Sequence, residues 1–230
     1  MDALLASAAR LGPACDALVE EERRLTYAEL RHGAGACCDA LGAGRGDRVA
    51  LALPNCAALV MWHFAVARAG AIAVNVNTRW TAHELAHVLD DAGCVLVVAA
   101  TDRERPAKES TVAEAPGVGL AAAAASRALA RTVRNLSGSE DTTISVLWLS
   151  AEHAVWDRKL PSPRTTLSAT SHITDVRTPF QMFYTSGTSG KPKGVLQSHK
   201  AVITHARAVA ALCTWRKGRR RSAAAATSAT

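Results

Sequence analysis

The sequence predicts an α/β fold in which a largely parallel sheet is flanked by helices. Between residues 25 and 98, segments with apolar residues at helical spacing alternate with short apolar segments of strand length. Gly, Pro and Thr residues separate these segments, at positions where helices and strands usually begin or end. Helices and strands that alternate at this spacing indicate parallel strands, because each parallel pair needs a crossover connection.

The first half of the chain contains three helix-then-strand units. Helices are predicted at residues 25–44, 56–70 and 81–93, and strands at 48–53, 71–77 and 94–100. Two helices begin with the Thr-x-x-Glu spacing of a capping box, Thr26 to Glu29 and Thr81 to Glu84. In the helix at 81–93, the core-facing stripe is expected to consist of Leu85, Val88, Leu89 and Ala92.

The second half is less regular. We predict an irregular connection at residues 102–119, a helix at 120–136, a strand at 143–150 and a loop at 156–177. Strands follow at 179–184 and 194–199, and Ser198 is predicted to cap a helix that ends at Leu212. The sequence thus divides into a lead segment at 1–24, one partial domain at 25–214, and a basic, Ala-rich, disordered tail at 215–230.

Composition and charge predict a cytosolic protein without a transmembrane segment. The apolar runs are too short to span a bilayer, and the start, MDALLASAARLG, lacks the basic region of a secretory signal. A weak targeting role for this amphipathic start stays open. Six cysteines without a C-x-x-C pair indicate reduced, mostly buried thiols. Of the net charge of +7, five positive charges lie in residues 216–221, so specific nucleic-acid binding is not predicted.

The segment YTSGTSGKPKG, residues 184–194, follows a buried strand and has the composition of an anion-binding loop. A phosphate site needs converging backbone N–H groups, hydroxyl donors and a cation, without bulky side chains nearby. A Gly/Ser surface turn with solvated lysines is the alternative for this composition. It is not a Walker A loop, because Gly190 and Lys191 are followed by Pro192 and not by Ser or Thr.

The longer string FYTSGTSGKPKGVLQSH, residues 183–199, closely resembles the signature loop of the AMP-forming adenylating enzymes. This superfamily includes acyl-CoA synthetases, luciferases and peptide-synthetase adenylation domains. Upstream, RLTYAEL, GRGDRVALALPN and AVARAGAIAVNVNTRWTAHELAHVLDDAGCVLVV are similar to the N-terminal subdomain of an acyl-CoA synthetase. The resemblance covers residues 25–98 and 180–212 and implies the N-terminal part of the adenylate-forming enzyme fold.

The resemblance implies a chemistry and its substrates. In this superfamily a carboxylate attacks the α-phosphate of Mg·ATP to give an acyl-adenylate and pyrophosphate, and coenzyme A then takes the acyl group. It implies a fatty-acid:CoA ligase using ATP, Mg2+ and coenzyme A, with an aryl-acid or succinylbenzoate-type CoA ligase as the alternative. The implied ligands of the β- and γ-phosphates are Thr185, Ser186, Gly187, Thr188, Ser189, Gly190 and Lys193. Thr185 would also help hold Mg2+, and Lys191 is expected to face solvent.

The sequence departs from the family pattern in two ways. Asn75 stands where the family commonly has a proline, a change expected to matter little. More severely, the acid of a Tyr-Gly-x-Thr-Glu segment, the ribose-binding aspartate and the lysine of the small C-terminal domain have no counterparts. No catalytic residue is therefore assigned. We expect the 230-residue chain to be inactive alone, as a truncated product or an incomplete gene model would be.

HELAH, residues 83–87, matches the H-E-x-x-H motif of zinc hydrolases, in which two histidines bind the metal and the glutamate activates water. The capping box gives Glu84 a structural role instead, and His83 and His87 fall on the polar side of the helix. The zinc hydrolase and a non-catalytic nucleotide- or nucleic-acid-binding module are the remote alternatives.

Overall fold

The computed structural model describes residues 1–20, 23–77, 79–101, 144–150, 175–186 and 191–212. The predictions at 102–119, 120–136 and 215–230, most of the loop at 156–177, and Cys213 lie outside these residues. The helices are α1 Asp2–Leu11, α2 Tyr27–Ala40, α3 Ala57–Ala69, α4 Ala82–Asp91 and α5 His199–Leu212. The strands are β1 Asp16–Glu20, β2 Arg23–Thr26, β3 Arg48–Ala52, β4 Ile72–Asn75, β5 Leu96–Thr101, β6 Ser145–Ser150, β7 Pro179–Ser186 and β8 Pro192–Ser198.

The main sheet has the strand order β6-β5-β3-β4-β7-β8. Neighbouring strands are parallel from β6 to β7, and only β7 and β8 pair antiparallel. This confirms the predicted α/β class with a largely parallel sheet. β7 and β8 pair antiparallel because only a few residues separate them in sequence, whereas parallel neighbours need a longer crossover connection.

The predicted helix starts at Thr26, Thr81 and Ser198 are confirmed, whereas the helix that was predicted to reach residue 44 ends at Ala40. Thr26 and Thr81 both form complete capping boxes, each with the glutamate three residues later. The Oγ of Ser198 accepts a hydrogen bond from the N–H of Ala201 at 3.2 Å, which caps α5. Gly70 ends α3 with a φ of 75°, a left-handed conformation that favours glycine.

The helices bury two separate clusters, one on each face of the sheet. One cluster joins α1, α2 and α3 to alternate residues of the strands, including Val49 and Leu51. The other joins α4 to the intervening residues, including Ala50 and Val74. The predicted stripe of α4 is confirmed, with Leu85, Val88, Leu89 and Ala92 all buried. Burial on both faces explains why the parallel strands are continuous apolar runs instead of alternating ones.

The first 24 residues contain elements that the sequence pattern did not identify. Helix α1 places Leu5 in the same cluster as α2 and α3, and β1 and β2 form an antiparallel ribbon. Leu25 of β2 lies in that cluster too. The boundary between a lead segment and a domain at residue 25 stays a prediction. No helix in the described part of the chain is long and apolar enough to cross a membrane.

The start of β3 is tied to the end of α4 by one side chain. Arg48 donates from Nε to the carbonyl of Ala92 at 2.8 Å and from Nη2 to the carbonyl of Gly93. Gly93 has a φ of 59°, and a Cβ at this position would lie 2.6 Å from Nη2 of Arg48. A cation at a helix C-terminus also complements the helix dipole. This contact fixes α4 relative to the sheet, which matters for the site described next.

The cysteines in the described residues are free thiols of unequal burial. Cys37 and Cys94 are buried, Cys38 and Cys56 are half-buried, and Cys15 is exposed. Burial raises the pKa of both Cys37 and Cys94 to about 12, so these two stay protonated and unreactive at neutral pH. Two of the five described cysteines are buried, so the expectation of mostly buried thiols is confirmed only in part.

Candidate phosphate-binding site

The glycine-rich segment connects β7 and β8 at the carboxyl edge of the parallel strands. β7 runs parallel to β4, with Asn75 opposite Phe183, so the two strands end at the same edge of the sheet. In open α/β sheets, ligands bind at this edge, outside the carboxyl ends of the strands. The two ends of the candidate loop, Ser186 and Pro192, therefore lie at the edge where folds of this kind bind ligands.

The structure brings two of the predicted site residues together. Thr185 in β7 lies directly opposite Lys193 in β8, and Ser186 lies opposite Pro192. Directly opposed residues of an antiparallel pair project to the same face, and both Thr185 and Lys193 are exposed. Lys191 is also exposed and precedes β8. The remaining predicted residues, Gly187, Thr188, Ser189 and Gly190, lie outside the described part of the chain.

Tyr184 occupies the other face of the same hairpin, toward α4. Its hydroxyl donates to Oδ2 of Asp91 at 2.6 Å, and its ring meets that of Trp80 edge-on at 6.4 Å. Gly194 is its partner across the hairpin, and a Cβ there would lie 3.0 Å from Cζ of Tyr184. Burial first, and then the hydrogen bond to Asp91, raise the pKa of Tyr184, so its hydroxyl stays a proton donor.

The H-E-x-x-H segment does not form a metal centre among the described residues. Glu84 accepts hydrogen bonds from the N–H of Thr81 at 2.7 Å and from its hydroxyl at 2.8 Å. These bonds hold the pKa of Glu84 below its usual value, the opposite of the shift that a general base requires. His83 is exposed, while Nε2 of His87 lies 3.2 Å from the carbonyl oxygen of Pro192. This histidine therefore contacts the strand that leaves the glycine-rich loop.

Asn75, the departure from the family pattern, has a defined position beside β7. Its Oδ1 lies 2.7 Å from Nε2 of His63, and its Nδ2 donates weakly to the carbonyl of Met182 at 3.5 Å. His63 in turn contacts the carbonyl of Leu59 through Nδ1 at 2.9 Å. A proline could make neither side-chain contact. The side chain of Asn75 thus links α3 to the strand that enters the loop.

The α/β fold, the position of the glycine-rich segment in it and the sequence of that segment together indicate an adenylate-forming enzyme. Comparison with known proteins gives the same class. A model of the family described as "AMP-binding enzyme" matches residues 5–228, nearly the whole chain. The chain belongs to this family. The same match confirms the resemblance found in the loop and in the upstream segments.

The chain is similar to several acyl-CoA ligases. It is 29% identical over 204 residues to the long-chain-fatty-acid–CoA ligase FadD13 of Mycobacterium tuberculosis, covering 86% of this chain and 35% of the relative. It is 30% identical over 193 residues to the acetyl-coenzyme A synthetase of Mycolicibacterium smegmatis, covering 81% of this chain and 19% of that enzyme. The chain thus spans about a third or less of these curated relatives.

Solved structures agree with the fold. The inhibitor-bound N-terminal domain of FACL13 from Mycobacterium tuberculosis matches with a TM-score of 0.68 and 28% identity, covering 91% of this chain and 47% of that one. The adenylate-forming N-terminal domain is therefore the fold to which this chain corresponds.

Proposed function

We propose that this chain supplies the phosphate-binding part of an AMP-forming acid–thiol ligase. In the proposed reaction, a carboxylate oxygen of the substrate attacks the α-phosphorus of ATP, the bond to the bridging oxygen of the β-phosphate breaks, and pyrophosphate leaves. The thiol of coenzyme A then attacks the acyl carbon and gives up its proton to water, the bond between that carbon and the AMP oxygen breaks, and AMP leaves. The observation that supports this proposal is the hairpin β7–β8, in which both ends of the segment with the family's signature sequence lie at the carboxyl edge of the sheet.

The main barrier to the first step is repulsion between two anions, so fixed donors and cations must offset the phosphate charge. We assign the β- and γ-phosphates to the backbone and hydroxyl groups of Thr185, Ser186, Gly187, Thr188, Ser189 and Gly190, together with the ammonium of Lys193. The direct opposition of Thr185 and Lys193 supports this assignment, because it puts a hydroxyl and a cation on one face at the mouth of the loop.

Among the residues assigned to the site, Thr185 offers an oxygen ligand suited to Mg2+. The exposed hydroxyl of Thr185 is a hard oxygen ligand of the kind that Mg2+ binds, usually together with phosphate oxygens and water. When bound, the ion would neutralise phosphate charge. The protein's own part is to keep the Thr185 oxygen and the Lys193 ammonium on the same face of the hairpin.

We propose a fatty acid as the acyl substrate. The support is the similarity to long-chain-fatty-acid–CoA ligases, at 29% identity for FadD13. The acetyl-coenzyme A synthetases at 30% identity share the chemistry with a shorter acid, and the aryl-acid or succinylbenzoate-type ligase stays the alternative. A cytosolic location also stays a prediction.

Titration of the purified chain with nucleotides tests the phosphate assignment. The loop is proposed to contact the β- and γ-phosphates, so we expect Mg·ATP and Mg·tripolyphosphate to bind weakly, with shifts of their phosphorus NMR signals. AMP lacks both groups and is the matched control ligand, which should bind far more weakly. Binding of AMP as tight as that of ATP, or no response to tripolyphosphate, would contradict the assignment.

A further inference from the structure

We propose that helix α4 is a platform that positions the phosphate loop, and that His87 and Asp91 are its two positioning residues. Asp91 holds the strand that enters the loop through Tyr184, and His87 holds the strand that leaves it through the carbonyl of Pro192. The inference rests on the proposed function, because it assigns these residues to the loop that would bind the phosphates.

The two contacts match the geometry of a helix packed beneath a hairpin. His87 and Asp91 are four residues apart, so they lie one above the other on the same face of α4. That spacing is about 6 Å along the helix, close to the roughly 7 Å that separates the two contacts along the hairpin, because Pro192 lies opposite Ser186, two residues beyond Tyr184. One turn of α4 can therefore reach β7 and β8 at the same time.

Tyr184 is held where it can reach Asp91. On one side its ring packs against the backbone of Gly194, where a Cβ would lie 3.1 Å from the Tyr184 hydroxyl. On another side, the ring of Trp80 meets it at an interplanar angle of 90°. A side chain at position 194 would push the ring away, so the glycine of the KPKG segment is required by Tyr184 as well as by any close approach of a ligand.

The anchors lie close to the ends of the loop. Tyr184 is three residues before Gly187, and Pro192 is two residues after Gly190. Fixing both ends of a short glycine-rich segment removes much of the conformational entropy that ordering around a ligand would otherwise cost. Neither His87 nor Asp91 is proposed to touch a phosphate. Their loss should loosen the loop and weaken phosphate binding without changing which phosphates are recognised.

α4 is itself rigidly placed, as a platform must be. Its apolar stripe is buried in the second core cluster, and Arg48 fixes its C-terminal carbonyls to the start of β3. Its N-terminus is closed by the capping box of Thr81. These contacts would keep α4 in place even if its contacts with the hairpin were lost.

Hydrogen–deuterium exchange of the 230-residue chain tests the platform without any ligand. Tyr184→Phe and Asp91→Ala each remove the same hydrogen bond, and we expect each to speed exchange of the peptide spanning residues 185–194 by about three- to tenfold. The double variant should exchange no faster than either single one. Asp91→Asn keeps a carbonyl acceptor and should stay near the parent, and His83→Ala, an exposed histidine on the same helix, is the matched control.

The same variants are then titrated with Mg·tripolyphosphate, with His87→Ala added. If hydrogen exchange is faster in the variants but the parent protein binds no polyphosphate, the proposed function is overturned and the platform is retained. Binding by the parent, with exchange and affinity unchanged in Tyr184→Phe, Asp91→Ala and His87→Ala, would overturn the platform and leave the function standing. The midpoint of urea unfolding of each variant shows whether faster exchange is local or comes from global destabilisation.

Discussion

Lys193 and Lys191 differ in their position relative to β8. Lys193 lies within the strand, opposite Thr185, whereas Lys191 precedes it. In a protein extended to the length of the relatives, Lys193→Ala should lower kcat/KM for ATP roughly ten- to hundredfold, because a charge-assisted hydrogen bond to phosphate is lost. Lys191→Ala is the matched control and should matter much less. Equal losses at both positions, measured by steady-state kinetics with varied ATP, would show that the roles are wrongly assigned.

His199 makes stability depend on pH. It is 1% exposed and packs against Phe180, with ring centroids 4.8 Å apart and an interplanar angle of 37°. Burial first, and then the charge of the nearby Met1 amino group, lower the pKa of His199 from 6.5 to about 4. Between these values the unfolded state binds more protons, so the free energy of unfolding falls as the pH falls below 6.5.

Acidification from pH 7 to 4.5 should lower the free energy of unfolding by about 2 kcal/mol through His199, because the folded protein holds this side chain neutral while the unfolded chain takes up a proton. Urea unfolding of the parent and of His199→Phe at both pH values measures this contribution. The variant lacks the titrating group, so its stability should fall less over this range. Parallel losses in the two proteins would mean that other groups cause the acid sensitivity.

Each capping box stabilises the start of one helix. Thr81 satisfies the N–H of Glu84 at the start of α4, and Thr81→Ala should lower the free energy of unfolding by about 1 kcal/mol. Thr204 lies exposed inside α5, where alanine is the better helix former, so Thr204→Ala should leave stability unchanged or slightly higher. Chemical denaturation of both variants checks the difference. A Thr81→Ala protein as stable as the parent would show that the cap contributes little.

Local signals predicted the elements between residues 25 and 101 well. The apolar stripe of α4 and both capping boxes are confirmed because they depend only on residues within one or two helical turns. The ribbon of β1 and β2 was missed because four of its nine residues are charged, and because Glu21 and Glu22, the two residues between the strands in sequence, include neither Gly nor Asn.

The candidate site was predictable in part, for a related reason. The loop itself could be identified from one ordered string of residues, since its chemistry lies in consecutive positions. The contact of Tyr184 with Asp91 joins positions 93 apart, and that of His87 with Pro192 joins positions 105 apart. No periodicity within one segment specifies such pairs. The side chain of Asn75 was underestimated in the same way, because its partners lie in α3 and β7.

At the scale of the whole molecule, a protein of only these 230 residues should not complete the reaction. Adenylation requires the α-phosphate, the carboxylate and Mg2+ to be held together, and a misplacement of about 1 Å can cost roughly 100-fold in rate. The residues assigned to the site are proposed to contact only the β- and γ-phosphates, and the chain covers 35% of FadD13. We therefore expect no acid-dependent exchange of labelled pyrophosphate into ATP.

The exchange assay is run with several carboxylic acids and with a full-length relative as the positive control. Exchange above background by the purified chain, with any acid, would refute this expectation. It would mean that the residues assigned to the β- and γ-phosphates suffice, or that a second copy of the chain completes the site.

Poor solubility of the chain is expected too. Val195 and Leu196 lie in β8, the strand at the edge of the sheet, and their side chains are about half exposed, at 48% and 51%.

The mixed direction of the sheet has a consequence for the order of folding. β7 and β8 pair through a short connection, so this hairpin can form early from local contacts. Its docking on β4 brings together Asn75 and Met182, which are 107 positions apart, and closing a chain segment of that length costs about 4 kcal/mol of entropy before any contact offsets it. The hairpin β7–β8 should therefore form first and dock on β4 last. A slow refolding phase should then coincide with the gain of polyphosphate binding.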